Sequence, residues 1–199
     1  MNQKQLAVQL SKLDSVNERK AKLEQYPTDS QIAAEVLWNA FLLGDIEGKT
    51  IADFGCGNGI LGIGALLLGA KKAVFVDIDE TALGTAKGNV KELKLKAVFS
   101  CTDIEQFSGK AETVLQNPPF GTKQEHADKA FLLKAMNTAN VVYSFHKSST
   151  EKFVQAVAKD NSFEVTHKWV FKFPIRQSFS FHTKKVFYAD VACYRLARH

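Results

Sequence analysis

The tetrapeptide Asn117-Pro118-Pro119-Phe120 has the residue types needed to hold a planar amino group during a reaction. Proline fixes φ and has no N–H, so the Asn117 side-chain oxygen and the Pro118 carbonyl become two fixed acceptors. Acceptors for both hydrogens of an exocyclic amine such as adenine N6 favour a pyramidal nitrogen whose lone pair can attack a methyl donor. Phe120 could stack on the base. The alternative is a simple turn, because Asn-Pro-Pro favours turns in any protein.

A glycine-rich stretch, "DFGCGNGILGIG", follows a predicted strand and opens a predicted helix, which is where a parallel sheet binds its ligand. Gly55, Gly57 and Gly59 let the backbone approach a ligand without a Cβ clash, and we expect Asn58 and Ile60 to lie beside it. Segment 57–62 also matches the GxGxxG pattern of dinucleotide sites. The pattern alone fits NAD and other adenosine cofactors equally.

Three acids at successive strand ends favour a cationic adenosine ligand, S-adenosylmethionine, over a dinucleotide. Asp53 would repel a pyrophosphate but suits a sulfonium and an ammonium group. Asp77, followed by Ile78, can accept hydrogen bonds from both ribose hydroxyls. Asp103 can accept from the adenine amino group, with the Ile104 backbone at the ring edge. The alternative is that each acid is an ordinary helix N-cap.

The elements that must position these residues alternate along the chain. Short β-rich runs, "TIADF", "AVFVD", "AVFSC", "TVLQ" and "VVYSF", are separated by segments long enough for crossover helices. Two longer runs, "FEVTHKWVFKF" and "VFYADVACYRL", predict a terminal antiparallel pair. The prediction is an α/β fold, a seven-stranded and mostly parallel sheet with a C-terminal antiparallel strand and helices on both faces.

Two helices are predicted before the sheet. Leu6, Leu10 and Leu13 recur at helical spacing, and Thr28 stands three residues before Gln31, as in a capping box. We therefore predict one domain, 1–199. It comprises N-terminal helices and a cofactor lid (1–48), a cofactor-binding and catalytic core (49–160), and C-terminal strands with a substrate loop (161–199).

Composition fits a cytoplasmic enzyme with an acidic partner. The 199 residues carry a net charge of +5, which favours a partner such as nucleic acid. The three cysteines form no CxxC pair, so we expect neither a metal site nor a disulfide framework. The N-terminus has no apolar signal core, and the longest apolar run is interrupted by glycines, so we expect no membrane association.

Basic residues after the fifth strand and near the C-terminus could contact RNA. His146 and Lys147 come at the end of the fifth strand and could line the substrate cleft, with Lys147 meeting phosphate. Alternatively, Ser148 or Ser149 in the same segment is a helix N-cap. Lys123 follows the tetrapeptide. The C-terminal candidates for phosphate contact and base stacking are Arg176, Phe179, Phe181, His182, Lys184 and Lys185. Alternatively, these phenylalanines are core and these lysines guard an edge strand.

The order of the motifs "EQYPT", "DFGCGNG", "DIDE", "NPPFGTK", "YSFHKSST" and "SFHTKK" resembles small archaeal and eukaryotic methyltransferase-like proteins that make N6-methyladenosine in small-subunit ribosomal RNA. The resemblance implies a class I, S-adenosylmethionine-dependent fold with residues 117–120 as the catalytic tetrad. It implies that Gln25 and Thr28 close over the methionine end of the cofactor, with Gly55, Asp77 and Asp103 in the roles given above.

The resemblance also implies a partner, because a small zinc-binding activator protein adds a strand to the sheet edge of eukaryotic relatives. "KAVFSC" is the predicted edge strand here.

Two other functions fit part of the pattern. Glutamine-amide methylation of a protein uses the same two acceptors, although such enzymes usually have Tyr where Phe120 stands. A noncatalytic RNA-binding module could retain the fold.

Overall fold

The computed structural model describes residues 1–16, 28–119, 127–176 and 186–199, without the side chains of 127, 174–176, 186 and 187. The helices are α1 (Gln3–Leu10), α2 (Ser30–Leu42), α3 (Ile60–Leu67), α4 (Glu80–Glu92), α5 (Ala127–Thr138) and α6 (Glu151–Asp160). The strands are β1 (Thr50–Phe54), β2 (Lys72–Asp77), β3 (Val98–Cys101), β4 (Thr113–Gln116), β5 (Val141–Lys147), β6 (Phe163–Arg176) and β7 (Val186–Arg198). Short 3₁₀ turns span Ile104–Gln106 and Ser148–Thr150.

The seven strands form one sheet in the order β3-β2-β1-β4-β5-β7-β6. Strands β1 to β5 are parallel, and β7 is antiparallel to both of its neighbours. Every strand predicted from sequence is present, and "KAVFSC" does supply an edge strand, β3. Because β1 to β4 are parallel and in register, the loops that follow them all leave from the same edge of the sheet.

Each face of the sheet is covered by helices, so the strands are apolar on both sides. One core lies against α1 to α4 and includes Leu6, Leu37, Ile63, Phe75 and Tyr143. The other lies against α5 and α6 and includes Phe54, Val114, Leu132, Val154 and Tyr194. No helix in the described parts of the chain has both the length and the apolar character needed to cross a bilayer.

The second helix begins one residue later than predicted. Asp29 is the N-cap of α2, and its carboxylate accepts from the backbone N–H groups of Gln31 (2.8 Å) and Ile32 (3.3 Å). The predicted capping box of Thr28 and Gln31 is therefore wrong. Asp is at least as good an N-cap residue as Thr. Because Asp29 caps the helix, the Thr28 hydroxyl is available for a tertiary contact.

Neither serine after β5 is a helix N-cap, contrary to the alternative account of that segment. Ser148 and Ser149 lie inside the 3₁₀ turn, which begins after Lys147, and Thr150 occupies the N-cap position of α6 without capping it through its side chain. The Thr150 hydroxyl donates instead to the Lys147 carbonyl at 2.8 Å.

The β6–β7 hairpin is longer than the strand beside it. The last residue of β5 to pair with β7 is Lys147, opposite Val191, whereas β6 and β7 remain paired as far as Arg176 and Val186. The end of the hairpin therefore projects past the carboxyl edge of the parallel strands, the edge at which the candidate site lies.

Candidate active site

Asn117 lies at the carboxyl end of β4, at the centre of the sheet. Its side-chain Nδ2 donates to Thr28 Oγ1 at 3.0 Å, and Thr28 is buried. In this arrangement the amide nitrogen faces Thr28 and the oxygen Oδ1 occupies the other branch. Pro118 is buried and Pro119 half-buried, so the chain after Asn117 is held by packing as well as by proline geometry.

The glycine loop between β1 and α3 has a backbone that favours glycine. Gly55, Gly57 and Gly59 have φ values of +61°, +55° and +85°, in the left-handed region that L side chains rarely adopt. A Cβ at Gly57 would meet no atom of the described residues within 4 Å, so the loop presents bare backbone to open space there. Gly62 has a different role, since its Cβ would lie 2.5 Å from the Phe75 ring.

Asp53 is fully buried, and its Oδ2 accepts from the Gly62 backbone N–H at 2.8 Å. It thus satisfies one of the unpaired N–H groups in the first turn of α3. Burial raises the pKa of the Asp53 carboxyl well above its usual value; the Gly62 N–H opposes this rise and the Asp77 carboxylate adds to it. Asp53 is not the N-cap of α3, which is Gly59, so the alternative account is wrong for this acid, and a cofactor contact of Asp53 stays a prediction.

The other two acids also accept from backbone N–H groups. Asp77 is buried; its Oδ2 accepts from Gly57 and its Oδ1 from Asp79, each at 2.9 Å. Burial raises the pKa of the Asp77 carboxyl, and these N–H groups oppose the rise. Asp103 accepts from the Glu105 N–H at 2.9 Å and caps the 3₁₀ turn. Because a carboxylate oxygen can accept more than one hydrogen, these bonds leave ligand binding possible and hold the acids in place.

Two isoleucines follow these acids at the carboxyl edge. Ile78 is 60% exposed, one of the large apolar side chains of the described residues that face solvent, and Ile104 is buried. Ile60 is buried at the start of α3. Of the three, Ile78 is therefore the one whose side chain is open to a ligand.

His146 was predicted to line the substrate cleft, and this prediction is wrong because the side chain is buried. Gln116 Nε2 donates to Ser144 Oγ at 2.9 Å, and Ser144 Oγ forms a second hydrogen bond, of 2.7 Å, with His146 Nε2. Burial lowers the pKa of His146 to about 4, which keeps the imidazole neutral. His146 is thus the end of a buried polar chain that begins beside Asn117. Lys147 is half-buried at the end of β5, where a phosphate contact stays a prediction.

Asn89 on α4 was missed by the sequence analysis. Its buried amide accepts from the Asp14 N–H (2.9 Å) and donates to the carbonyls of Asp14 (3.1 Å) and Asn58 (3.0 Å). The available signal was its spacing, because Asn89 stands three residues after Ala86 and next to Val90, on the buried face of the helix.

Several predicted site residues lie outside the described residues and stay predictions. They are the predicted cofactor residue Gln25 and the predicted substrate residues Phe120, Lys123, Phe179, His182, Lys184 and Lys185.

The chain was compared with known families and proteins. The family model described as methyltransferase small domain matches residues 28–142. The rRNA N(6)-adenosine-methyltransferase METTL5 of Danio rerio is 39% identical over 195 residues, which cover 93% of each chain. A candidate RNA methyltransferase from Pyrococcus horikoshii has a solved structure that is 42% identical and superimposes with a TM-score of 0.91 over 100% of this chain and 98% of that one. The resemblance predicted from the motifs is confirmed by these matches.

The fold extends to more distant proteins. Magnesium protoporphyrin IX methyltransferase of Synechocystis PCC 6803, solved with bound S-adenosylmethionine, has a TM-score of 0.67 at 21% identity, covering 85% of this chain and 79% of that one. The architecture is therefore that of class I, S-adenosylmethionine-dependent methyltransferases, as predicted.

Proposed function

Because this chain belongs to the methyltransferase small-domain family, we propose that it transfers a methyl group from S-adenosylmethionine to N6 of an adenine in ribosomal RNA, with small-subunit RNA as the target. The observation that carries the proposal is the bond from Asn117 Nδ2 to Thr28 Oγ1, which directs the other branch of the amide, Oδ1, away from Thr28. The name of the zebrafish relative supports adenine N6 in ribosomal RNA as the acceptor.

The residues at the carboxyl edge suit the cofactor. Asp77 would accept from the ribose hydroxyls, the exposed Ile78 would pack on the adenine, and the bare backbone at Gly57 would lie against the methionine end. Asp103 would accept from the adenine amino group beside the Ile104 backbone. When bound, S-adenosylmethionine supplies an electrophilic methyl group.

The protein's part in the chemistry is to present the amine. Asn117 Oδ1 and the Pro118 carbonyl would accept the two N6 hydrogens, which favours a pyramidal nitrogen with a directed lone pair. Both acceptors are already fixed in the folded protein, so the amine is positioned before it reacts. This positioning lowers the activation free energy of methyl transfer. No strong base is needed, since the nitrogen becomes acidic as its bond to carbon forms and its proton passes to water.

Two surfaces suit the proposed partners. The overhanging end of the β6–β7 hairpin and Lys147 would border RNA on the substrate side, with the net charge of +5 favouring phosphate. At the opposite edge of the sheet, β3 would accept a strand from a small zinc-binding activator protein, and Val98 on this strand is 45% exposed.

The test uses ribosomal RNA from cells that lack the gene, the purified protein and labelled cofactor. We expect label in N6-methyladenosine, and Asn117→Ala should reduce the rate at least about 100-fold while calorimetry shows cofactor binding retained. Asn161→Ala is the matched control, because Asn161 caps the end of α6, away from the carboxyl edge, with a bond to Val157. Label confined to protein glutamine would favour the amide-methylating alternative. RNA binding with no transfer by the wild type would leave only an RNA-binding module.

A further inference from the structure

A buried asparagine joins the N-terminal segment to the glycine loop. The Asn89 amide is 1% exposed and pairs with the Asp14 backbone in both directions, accepting from its N–H at 2.9 Å and donating to its carbonyl at 3.1 Å. The second Nδ2 hydrogen goes to the Asn58 carbonyl at 3.0 Å, within the glycine loop. One side chain on α4 thus holds two segments that are 44 residues apart in sequence.

Asn58 adds a second connection between the same two segments. Its own Nδ2 donates to the Asp14 carbonyl at 3.2 Å, while its Oδ1 accepts from the Ile60 N–H at 3.3 Å. On the other flank of the loop, Asp77 accepts from the Gly57 N–H at 2.9 Å. The loop is therefore fixed from two sides, by a carboxylate at Gly57 and by the Asn89–Asp14 pair at Asn58.

This part of the loop would be costly to order on ligand binding without such bonds. Asn58 lies between Gly57 (φ +55°) and Gly59 (φ +85°), and glycine loses more conformational entropy on ordering than any other residue. A loop that is already ordered in the free protein avoids that cost when a ligand binds.

Helix formation does not explain an asparagine at this position. Asn is a weak helix former, and burying its amide is unfavourable unless its polar atoms are paired. An apolar residue at 89 would extend the buried face formed by Ala86 and Val90. The amide contacts nothing on α4 itself through these three bonds, which all go to Asp14 and the loop.

We propose that Asn89 is a positioning residue for the cofactor, holding the glycine loop in its binding conformation through Asp14 and Asn58. It sets the affinity for S-adenosylmethionine and leaves the rate of methyl transfer at saturating cofactor unchanged. The inference rests on the proposed cofactor site and does not depend on the identity of the methyl acceptor.

The test measures S-adenosylmethionine binding by calorimetry, with no RNA present. We expect the Kd of Asn89→Ala to rise about 10-fold or more. In a separate methylation assay with RNA, its kcat at saturating cofactor should stay within about 2-fold of the wild type. Gly88→Ala is the control on the same helix, because its added Cβ would meet no described atom within 4 Å. Val154→Ala, in the opposite core, controls for lost stability and should bind the cofactor normally.

A double-mutant cycle keeps the inference testable even if Asn89→Ala folds poorly. The half-buried side chain of Asn58 can be removed without disturbing the core, and Asn58→Ala should raise the Kd a few-fold. If both residues act through Asp14, the double variant should be no weaker than Asn89→Ala. Three results would overturn the inference: an unchanged Kd in Asn89→Ala, an equal loss in Val154→Ala, or fully additive effects. A wild type that binds the cofactor but methylates no RNA would refute only the proposed function.

Discussion

Replacing Thr28 by valine tests whether the orientation of the Asn117 amide controls the reaction rate. Valine has nearly the shape of threonine but has no hydroxyl, so Asn117 Nδ2 would lose an acceptor 3.0 Å away. Without that acceptor, the observed orientation, with Nδ2 toward residue 28, loses the hydrogen bond that stabilises it. A rotated amide would present N–H groups to the substrate amine, where the proposed chemistry needs an oxygen.

The size of the effect follows from the hydrogen bond and its burial. Leaving a buried donor without its partner costs about 1 to 3 kcal/mol. Since Thr28 is buried but Asn117 is only half-buried, water can replace part of the bond. We therefore expect the lower part of this range, about 1 to 2 kcal/mol, which corresponds to a kcat about 5- to 30-fold lower.

Single-turnover methylation of RNA at saturating cofactor is the measurement. Thr28→Ser retains the hydroxyl and should restore most of the rate. Thr113→Val is the matched control, because this buried threonine donates to the Asp45 carbonyl at 2.7 Å, away from the site. Thr113→Val should lower stability by about 1 kcal/mol and leave kcat unchanged. If Thr28→Val transferred methyl groups as fast as the wild type, the Thr28 bond would have no part in positioning Asn117.

Two further predictions concern stability. His146 has a pKa of about 4 in the folded protein against 6.5 for the free side chain. Between these pH values the native state binds fewer protons than the unfolded state. The free energy of unfolding therefore falls as the pH is lowered from 6.5 to about 4. Urea unfolding should therefore lose about 2 kcal/mol less between pH 7 and pH 5 in His146→Gln than in the wild type, and equal losses would refute burial of a neutral imidazole. Asp45→Asn should lower the free energy of unfolding by about 3 to 5 kcal/mol, because buried Asp45 accepts from Arg195 Nε at 2.7 Å and from the Tyr143 hydroxyl at 2.6 Å; a loss below about 1 kcal/mol in urea unfolding would contradict this.

The position of Asn117 could be predicted from the sequence because it depends only on residues that are close together in the chain. A β-rich run ends where Asn-Pro-Pro begins, and parallel strands joined by helices bring successive strand ends to one edge. The partner of Asn117 could not be predicted in this way. Thr28 is 89 residues away, and its only local pattern was a capping box. Asp29 took the cap, because an Asp beside a Thr competes for the same backbone N–H groups.

His146 shows the limit of alternation in a central strand. Val142, Ser144 and His146 share one face of β5, and that face lies under the second core. In a strand buried on both sides, alternation no longer separates core from solvent. A histidine near the strand end was therefore read as a cleft residue. Its serine neighbour two positions earlier, on the same face, was the signal for a buried polar pair.

The three acids at the strand ends show that a bond to the backbone and a predicted ligand contact are compatible roles for one carboxylate. Asp53, Asp77 and Asp103 were each considered either as a helix N-cap or as a ligand contact. Only Asp103 occupies an N-cap position, but all three accept from backbone N–H groups in the described structure. A carboxylate that is held by a backbone donor has already lost its rotational freedom. A ligand hydroxyl can then donate to a second lone pair of that carboxylate at a smaller cost in side-chain entropy. The same reasoning applies to Asn117 and Asn89, whose amides are oriented by bonds to Thr28 and Asp14. Bonds to backbone N–H groups and contacts between distant segments of the chain thus prepare the carboxyl edge of this sheet for binding. Variants that remove them should lower cofactor affinity or reaction rate while the fold is retained.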